Sequence, residues 1–129
     1  MKKFEANRSQ SRKEADDLLL FLAGDVLTGR GIDQILPNPN DPLIYEGYLK
    51  NAKDYVKLAE KASGPIKQAV DFNYIWGYAI GAMKEADIRL INLETSITKS
   101  GDYVNKGINY RMHPKNIACL TIANIDCCA

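Results

Sequence analysis

Only three cysteines, one histidine and one tryptophan occur in 129 residues, and each scarcity closes a route. Cys119, Cys127 and Cys128 form no C-x-x-C pair, and an odd count with two adjacent members argues against a disulfide framework. Cys127 and Cys128 lie in an apolar stretch and are expected to be small buried hydrophobes. The lone imidazole, His113, precedes a proline, where it is either a helix N-terminal residue or a proton carrier near neutral pH. No G-x-S-x-G elbow occurs, which removes the serine-hydrolase route. The glycine-bearing loop after Asp25 lacks the Gly-Lys-Ser/Thr of a P-loop. Long hydrophobic runs are missing too. The longest near the start covers residues 18–23, far short of the ~20 residues a membrane span needs. It is preceded by a charged, polar segment with no apolar h-region, so no signal peptide is read and the expected compartment is the cytoplasm. Charge of one sign is also lacking: 17 basic against 16 acidic residues give +1, which favours no nucleic-acid partner.

What is present reads as one ordinary globular domain, 46% hydrophobic and 26% charged. Residues 1–16 carry no apolar period and are expected to be a flexible lead-in to a domain over 17–129. A continuous apolar run over 17–24 predicts a strand covered on both faces. The Pro37-Asn-Pro-Asn40 cluster breaks regular structure. Asp41-Pro42 then reads as a cap and first helical proline for a helix over 43–62, stopped by Ser63-Gly64-Pro65. A second helix is expected over 72–86, capped by Asp71, with Trp76 and Tyr78 packed on the sheet. Tyr45, Tyr48 and Tyr55 would spread around the first helix. Residues 87–94 predict a strand, 95–101 a polar loop, and 108–111 a short extended piece. A short helix follows from His113-Pro114 to Ala123, and 125–129 opens a third strand. The order strand, helix, helix, strand, helix, strand favours an α/β architecture with parallel pairing. Because the chain stops at that strand with no covering helix after it, the expectation is the N-terminal part of something longer. Its edge over 125–128 is expected to be open to self-pairing.

Parallel α/β sheets gather ligands outside the carboxyl ends of their strands. Asp25 ends the first strand and Glu94 the second, so both should reach one rim. Converging carboxylates repel unless they share a proton or a cation, and carboxylate oxygens suit a divalent ion such as Mg²⁺, Mn²⁺ or Zn²⁺. Asn92, two residues before Glu94, shares its side of the strand and is positioned to orient it or to add a carbonyl ligand. The plainer alternative is that Asp25 caps its loop and Glu94 pairs with a basic neighbour. Gly29, Arg30 and Gly31 are candidates for presenting N–H groups and a guanidinium to an anion; a solvated turn explains them equally. Lys106, Tyr110, Arg111 and His113 form a second basic and aromatic cluster towards the same rim.

The segments FLAGDVLTGRGID, DFNYIWG, INLETSIT and KGINYRMHP, in that order, resemble the N-terminal part of the CapA family. These are poly-γ-glutamate capsule synthesis-like proteins with a calcineurin-like metallophosphatase fold. The resemblance implies a partial metallophosphatase sandwich in which Asp25 and Glu94 are metal ligands supported by Asn92. The implied cofactors are divalent ions (manganese, magnesium, zinc or iron). It further implies an oxyanion or polyglutamate-type substrate, with Arg30, Arg111 and His113 as candidates to bind it. Leu27 stands where general metallophosphatases have the histidine of Asp-x-His, as is usual for this branch. The family's Asn-Asn-His segment and later histidines lie beyond the sequence. Two readings follow: a phosphoesterase-like site supplied only in part, or a catalytically inactive interaction or regulatory module that retains the first half of the fold.

Overall fold

The computed structural model describes residues 17–129; the lead-in expected over 1–16 lies outside the described residues. Two parallel strands, β1 (Leu20–Val26) and β2 (Ile88–Leu93), pair along their lengths. A short third strand, β5 (Cys127–Cys128), joins the far side of β2 to give the order β1-β2-β5. Four α-helices lie between or beside the strands: α1 (Gly31–Ile35), α2 (Lys53–Ser63), α3 (Ala79–Glu85) and α4 (Ala118–Thr121). Two-residue strands β3 (Ser96–Ile97) and β4 (Arg111–Met112) form a small parallel pair of their own. The mixed α/β class with parallel pairing is therefore observed.

The core forms on one face of the sheet. Ile91 at the middle of β2 is fully buried, and it clusters with Ile35, Val56, Val70, Met112, Cys119 and Leu120 from the helices and their connections. Ala23, Val26 and Leu93 pack at its margin. Burying a side chain the size of Ile91 is worth about 1.5–3 kcal/mol, so this layer holds the helices to the strands. The other face is bare among the described residues. Leu20 pairs with Ile88 and Leu22 with Leu90 in register, and Leu90 pairs with Cys127. All five are exposed, Leu22 by 67%. This corrects two expectations. The apolar run of β1 is covered on one face, not both, and Cys127 and Cys128 are exposed while Cys119 is the buried thiol. Continuous apolar sequence marks a strand but does not say which partner layer covers each side.

Several boundaries differ from the sequence reading for local reasons. The first long helix begins only at Lys53. Upstream, Asp41 Oδ1 accepts from the Leu43 N–H at 2.8 Å, an Asx turn that competes with helix formation. An antiparallel bridge between Leu43 and Asn51 then closes this segment. Asn51 Oδ1 accepts from the Lys53 N–H at 2.9 Å and starts α2. The expected stop holds: Gly64 takes φ +89° and returns its N–H to Glu60 O at 2.8 Å, a left-handed terminus open to glycine. The expected helix over 72–86 is split. A 3₁₀ turn at Tyr74–Trp76 ends where Gly77 swings to φ +50°, and α3 starts afresh at Ala79. Asp71 Oδ1 accepts from the Asn73 N–H at the start of that turn. Trp76 packs on the core and donates Nε1–H to Cys119 O at 2.7 Å. Tyr78 is fully exposed, contrary to the packing expected of it. Tyr45 and Tyr48 fall in the irregular segment before α2, where Tyr45 stacks on Tyr103 with centroids 3.6 Å apart. The glycine-bearing loop after Asp25 leads straight into α1, a helix its sequence did not announce.

A buried carboxylate ties the loops to the core. Asp33 on α1 is 1% exposed. Its Oδ2 accepts from the Asn40 N–H at 2.7 Å, and its Oδ1 from the His113 N–H at 2.8 Å and Asn116 Nδ2 at 3.1 Å. Asn116 in turn accepts from the Asn38 N–H at 3.2 Å. The Pro-Asn cluster and the His113–Pro114 turn are thus fastened to one helix.

Candidate carboxylate site

The site begins with an irregularity in β1. Pairing runs Ala23 to Ile91 and then Asp25 to Asn92, so β1 advances two residues while β2 advances one. The extra residue at Gly24 is a β-bulge, and bulges re-aim the side chains that follow them. Counting back along β2, Asn92 shares the face of Ile88 and Leu90. The bulge therefore brings Asp25 to that face, beside Asn92, instead of leaving it with Ala23 on the helix-covered side. A Cβ added at Gly24 would meet nothing within 4 Å, so the bulge is not enforced by crowding at that position.

Asn92 Nδ2–H donates to Asp25 Oδ1 at 2.7 Å. Glu94, one residue past β2 and again on this side, reaches the same carboxylate. The hydrogen bond shared with Asp25, then that group's negative charge, then partial desolvation push the Glu94 carboxyl above its ordinary range. The Lys106 ammonium works in the opposite direction. Converging acids are also a donor pair for a cation. The loops behind the pair are tied together, since the Thr28 N–H donates to Thr95 Oγ1 at 3.0 Å. Gly29 lies so close to β4 that a Cβ there would stand 3.0 Å from Arg111 O.

Asp25, Asn92 and Glu94 are thus brought together. The three candidate substrate residues are engaged elsewhere. Arg30 sits at φ +52°, unusual for a side chain other than glycine. Its Nε lies 2.5 Å from Glu46 Oε1, and its guanidinium is sandwiched between the Tyr55 and Tyr110 rings at 5.0 and 4.7 Å. Tyr55 donates its hydroxyl to Glu46 Oε2. Its phenol is pushed far above its usual range, first by burial and then by that bond. Arg111 donates to the carbonyls of Ser100 at 2.6 Å and Asp41 at 3.0 Å. His113 Nδ1 accepts from the Lys115 N–H at 3.1 Å and caps the short helix that follows. Glu46 and Asp33 went unnoticed in the sequence. Their partners are distant or of a kind that leaves no spacing signal.

A cavity of about 430 Å³ opens beside the pair, lined by Glu94, Thr95, Ser96, Lys106, Ile108 and Tyr110. A divalent ion fits the chemistry of Asp25 and Glu94, which offer hard anionic oxygen. The set is small: among the described residues no group of three or more His, Cys, Asp or Glu is placed to hold a metal.

The architecture and rim define a parallel α/β chain that presents paired acids at the ends of adjacent strands. Residues 19–129 match the family described as bacterial capsule synthesis protein PGA_cap, and the chain belongs to that family. Probable polyglutamine synthesis accessory proteins from two strains of Mycobacterium tuberculosis, CDC 1551/Oshkosh and H37Rv, are each 44% identical to it over 117 residues. Each match covers 88% of this chain, which spans 31% of the length of those relatives. No solved structure matches it. Among the described residues, no helix is long and apolar enough to cross a membrane.

Proposed function

We propose that this chain contributes the carboxylate half of a divalent-metal centre of metallophosphatase type, in a capsule-synthesis protein acting on an oxyanion-bearing substrate. The family match supports the setting, and the mycobacterial relatives, named for polyglutamine synthesis, support a glutamyl- or glutaminyl-type polymer as substrate. In this reading the β1-β2-β5 sheet is one layer of a calcineurin-like sandwich. The observation that carries it is the convergence of Asp25 and Glu94 on the face to which the Gly24 bulge turns Asp25.

Asp25 and Glu94 would hold the ion, and oxygen donors alone favour Mg²⁺ or Mn²⁺ over softer metals. Asn92 fixes the rotamer of Asp25 through its Nδ2–H and so holds one oxygen in place. A bound divalent ion supplies Lewis-acid polarisation of a substrate oxygen and an acidified water. Asp25 raises the Glu94 carboxyl, so a proton and a cation compete for it and metal uptake would strengthen as pH rises. The second reading is an interaction or regulatory module without catalysis. It is favoured by the absence of a third ligating side chain beside the pair among the described residues.

Calorimetric titration with Mn²⁺ separates them. The chain should take up the ion weakly, more tightly at pH 8 than at pH 5, and Glu94→Gln and Asp25→Asn should each weaken uptake. Equal Mn²⁺ affinity in the chain and both variants would overturn the metal assignment.

A further inference from the structure

The basic side chains around the rim are not equivalent. Arg30 is held by Glu46 between two tyrosine rings. Arg111 is spread over backbone carbonyls. Lys106 differs: it is exposed, it lines the cavity beside Glu94, and it acts on the Glu94 carboxyl through space. Tyr110 and Ile108 supply an aromatic and an aliphatic wall to the same cavity.

We propose that Lys106 is the residue that receives the substrate's anionic oxygen group, in the cavity between Glu94 and Tyr110. This rests on the reading of Asp25 and Glu94 as a metal pair. An ammonium beside a dication is a repulsive arrangement. An anion between the two relieves that repulsion and is attracted by both, so the filled site needs an oxyanion where the empty one does not. A lysine ammonium donates three hydrogen bonds from a flexible stem and follows a substrate oxygen without demanding planar geometry. A phosphoryl group and the carboxylate of a glutamyl chain both satisfy this chemistry.

The experiment uses inorganic phosphate and glutarate as separate probes, each titrated into the chain with and without Mn²⁺, on the parent protein, Lys106→Gln, Lys106→Arg and Lys99→Gln. Lys99 is exposed and lies outside the cavity lining. A charge-assisted hydrogen bond sets the expected size: Lys106→Gln should weaken anion binding by about tenfold or more. Lys106→Arg should retain most of it, and Lys99→Gln should leave it unchanged. Mn²⁺ affinity, followed separately by the resonance of free Mn²⁺, should hold or rise in Lys106→Gln because a neighbouring cation is gone. Those opposite signs are not produced by a folding defect, which would weaken both. Loss of phosphate alone identifies a phosphoryl group, and loss of glutarate alone identifies a carboxylate; both support the assignment to Lys106. Neither probe binding the parent protein, or unchanged anion affinity in Lys106→Gln, overturns it. Failure of the parent protein to take up Mn²⁺ would sink the metal reading and this proposal with it, whereas Mn²⁺ uptake with unchanged anion affinity in Lys106→Gln would sink the proposal alone.

Discussion

Replacing Asp33 with alanine should damage the fold severely while leaving the carboxylate pair untouched. The side chain is 1% exposed and takes the Asn40 N–H at 2.7 Å, the His113 N–H at 2.8 Å and Asn116 Nδ2–H at 3.1 Å. Asn116 Nδ2 keeps a second acceptor at Asn38 O, 2.9 Å away, so its loss is partial. The Asn40 and His113 backbone donors would be left without a partner. A buried donor deprived of its acceptor costs about 1–3 kcal/mol, which gives about 2–5 kcal/mol for the pair, the part-buried His113 N–H counting less. Asp33→Asn gives no rescue. One oxygen remains, but the new amide faces donors on whichever side it is turned. Urea unfolding followed by circular dichroism reads the effect. At about 1–3 kcal/mol per molar urea the midpoint should fall by roughly 1–5 M. Asp54→Ala on α2, which breaks only the exposed pair with Lys57, should move it little. A loss below about 1 kcal/mol in Asp33→Ala would refute the view that this carboxylate fastens the Pro-Asn cluster to the His113 turn.

The two sheet faces and the acid pair give further expectations. Ile91→Ala should cost about 2–5 kcal/mol, whereas Leu22→Thr on the bare face should stay within about 0.5 kcal/mol and reduce self-association in sedimentation runs. A cost for Leu22→Thr as large as that for Ile91→Ala would mean that the face is covered in solution. The raised Glu94 carboxyl has a definite sign. Its stabilising protonated state is fully present below the unfolded carboxyl range and is lost as pH rises through the folded value. In metal-free buffer, Glu94→Gln should therefore gain on the parent protein in melting temperature between pH 4 and pH 7, and a gap that narrows instead would contradict the raised Glu94 carboxyl.

Strands β1 and β2 and the Gly64 stop were readable because they rest on local pattern: apolar runs bounded by glycine and a left-handed terminus. The 43–52 segment was misread because its helical spacing competes with turn chemistry at Asp41 and Asn51, and the side-chain bonds win there. Gly77 carried the break in the second helix, but an isolated glycine inside a periodic stretch does not announce a positive φ. The rim pair was legible from strand-end logic together with the family resemblance. The fate of Arg30 was not, since its partner Glu46 and the ring of Tyr110 are brought in by tertiary folding. Cys127 and Cys128 were placed in the interior because their neighbours are apolar; whether a strand's face is covered depends on a layer that its own sequence does not describe.

The bulge at Gly24 makes Asp25 sensitive to chain length in a way substitution is not. Side chains in a strand alternate, so position along β1 is counted in whole residues. Losing the extra residue at Gly24 would restore one-to-one pairing and still leave the carboxylate opposite Asn92, on the same face. Losing a residue from 21–23 with the bulge kept would instead carry it to the side packed by Ile91 and Val56, where an unpaired charge is expensive. A one-residue change in this segment therefore has two distinct outcomes, set by whether the bulge takes it up. The bulge is the one place in β1 where the count can change and the acid keep its side.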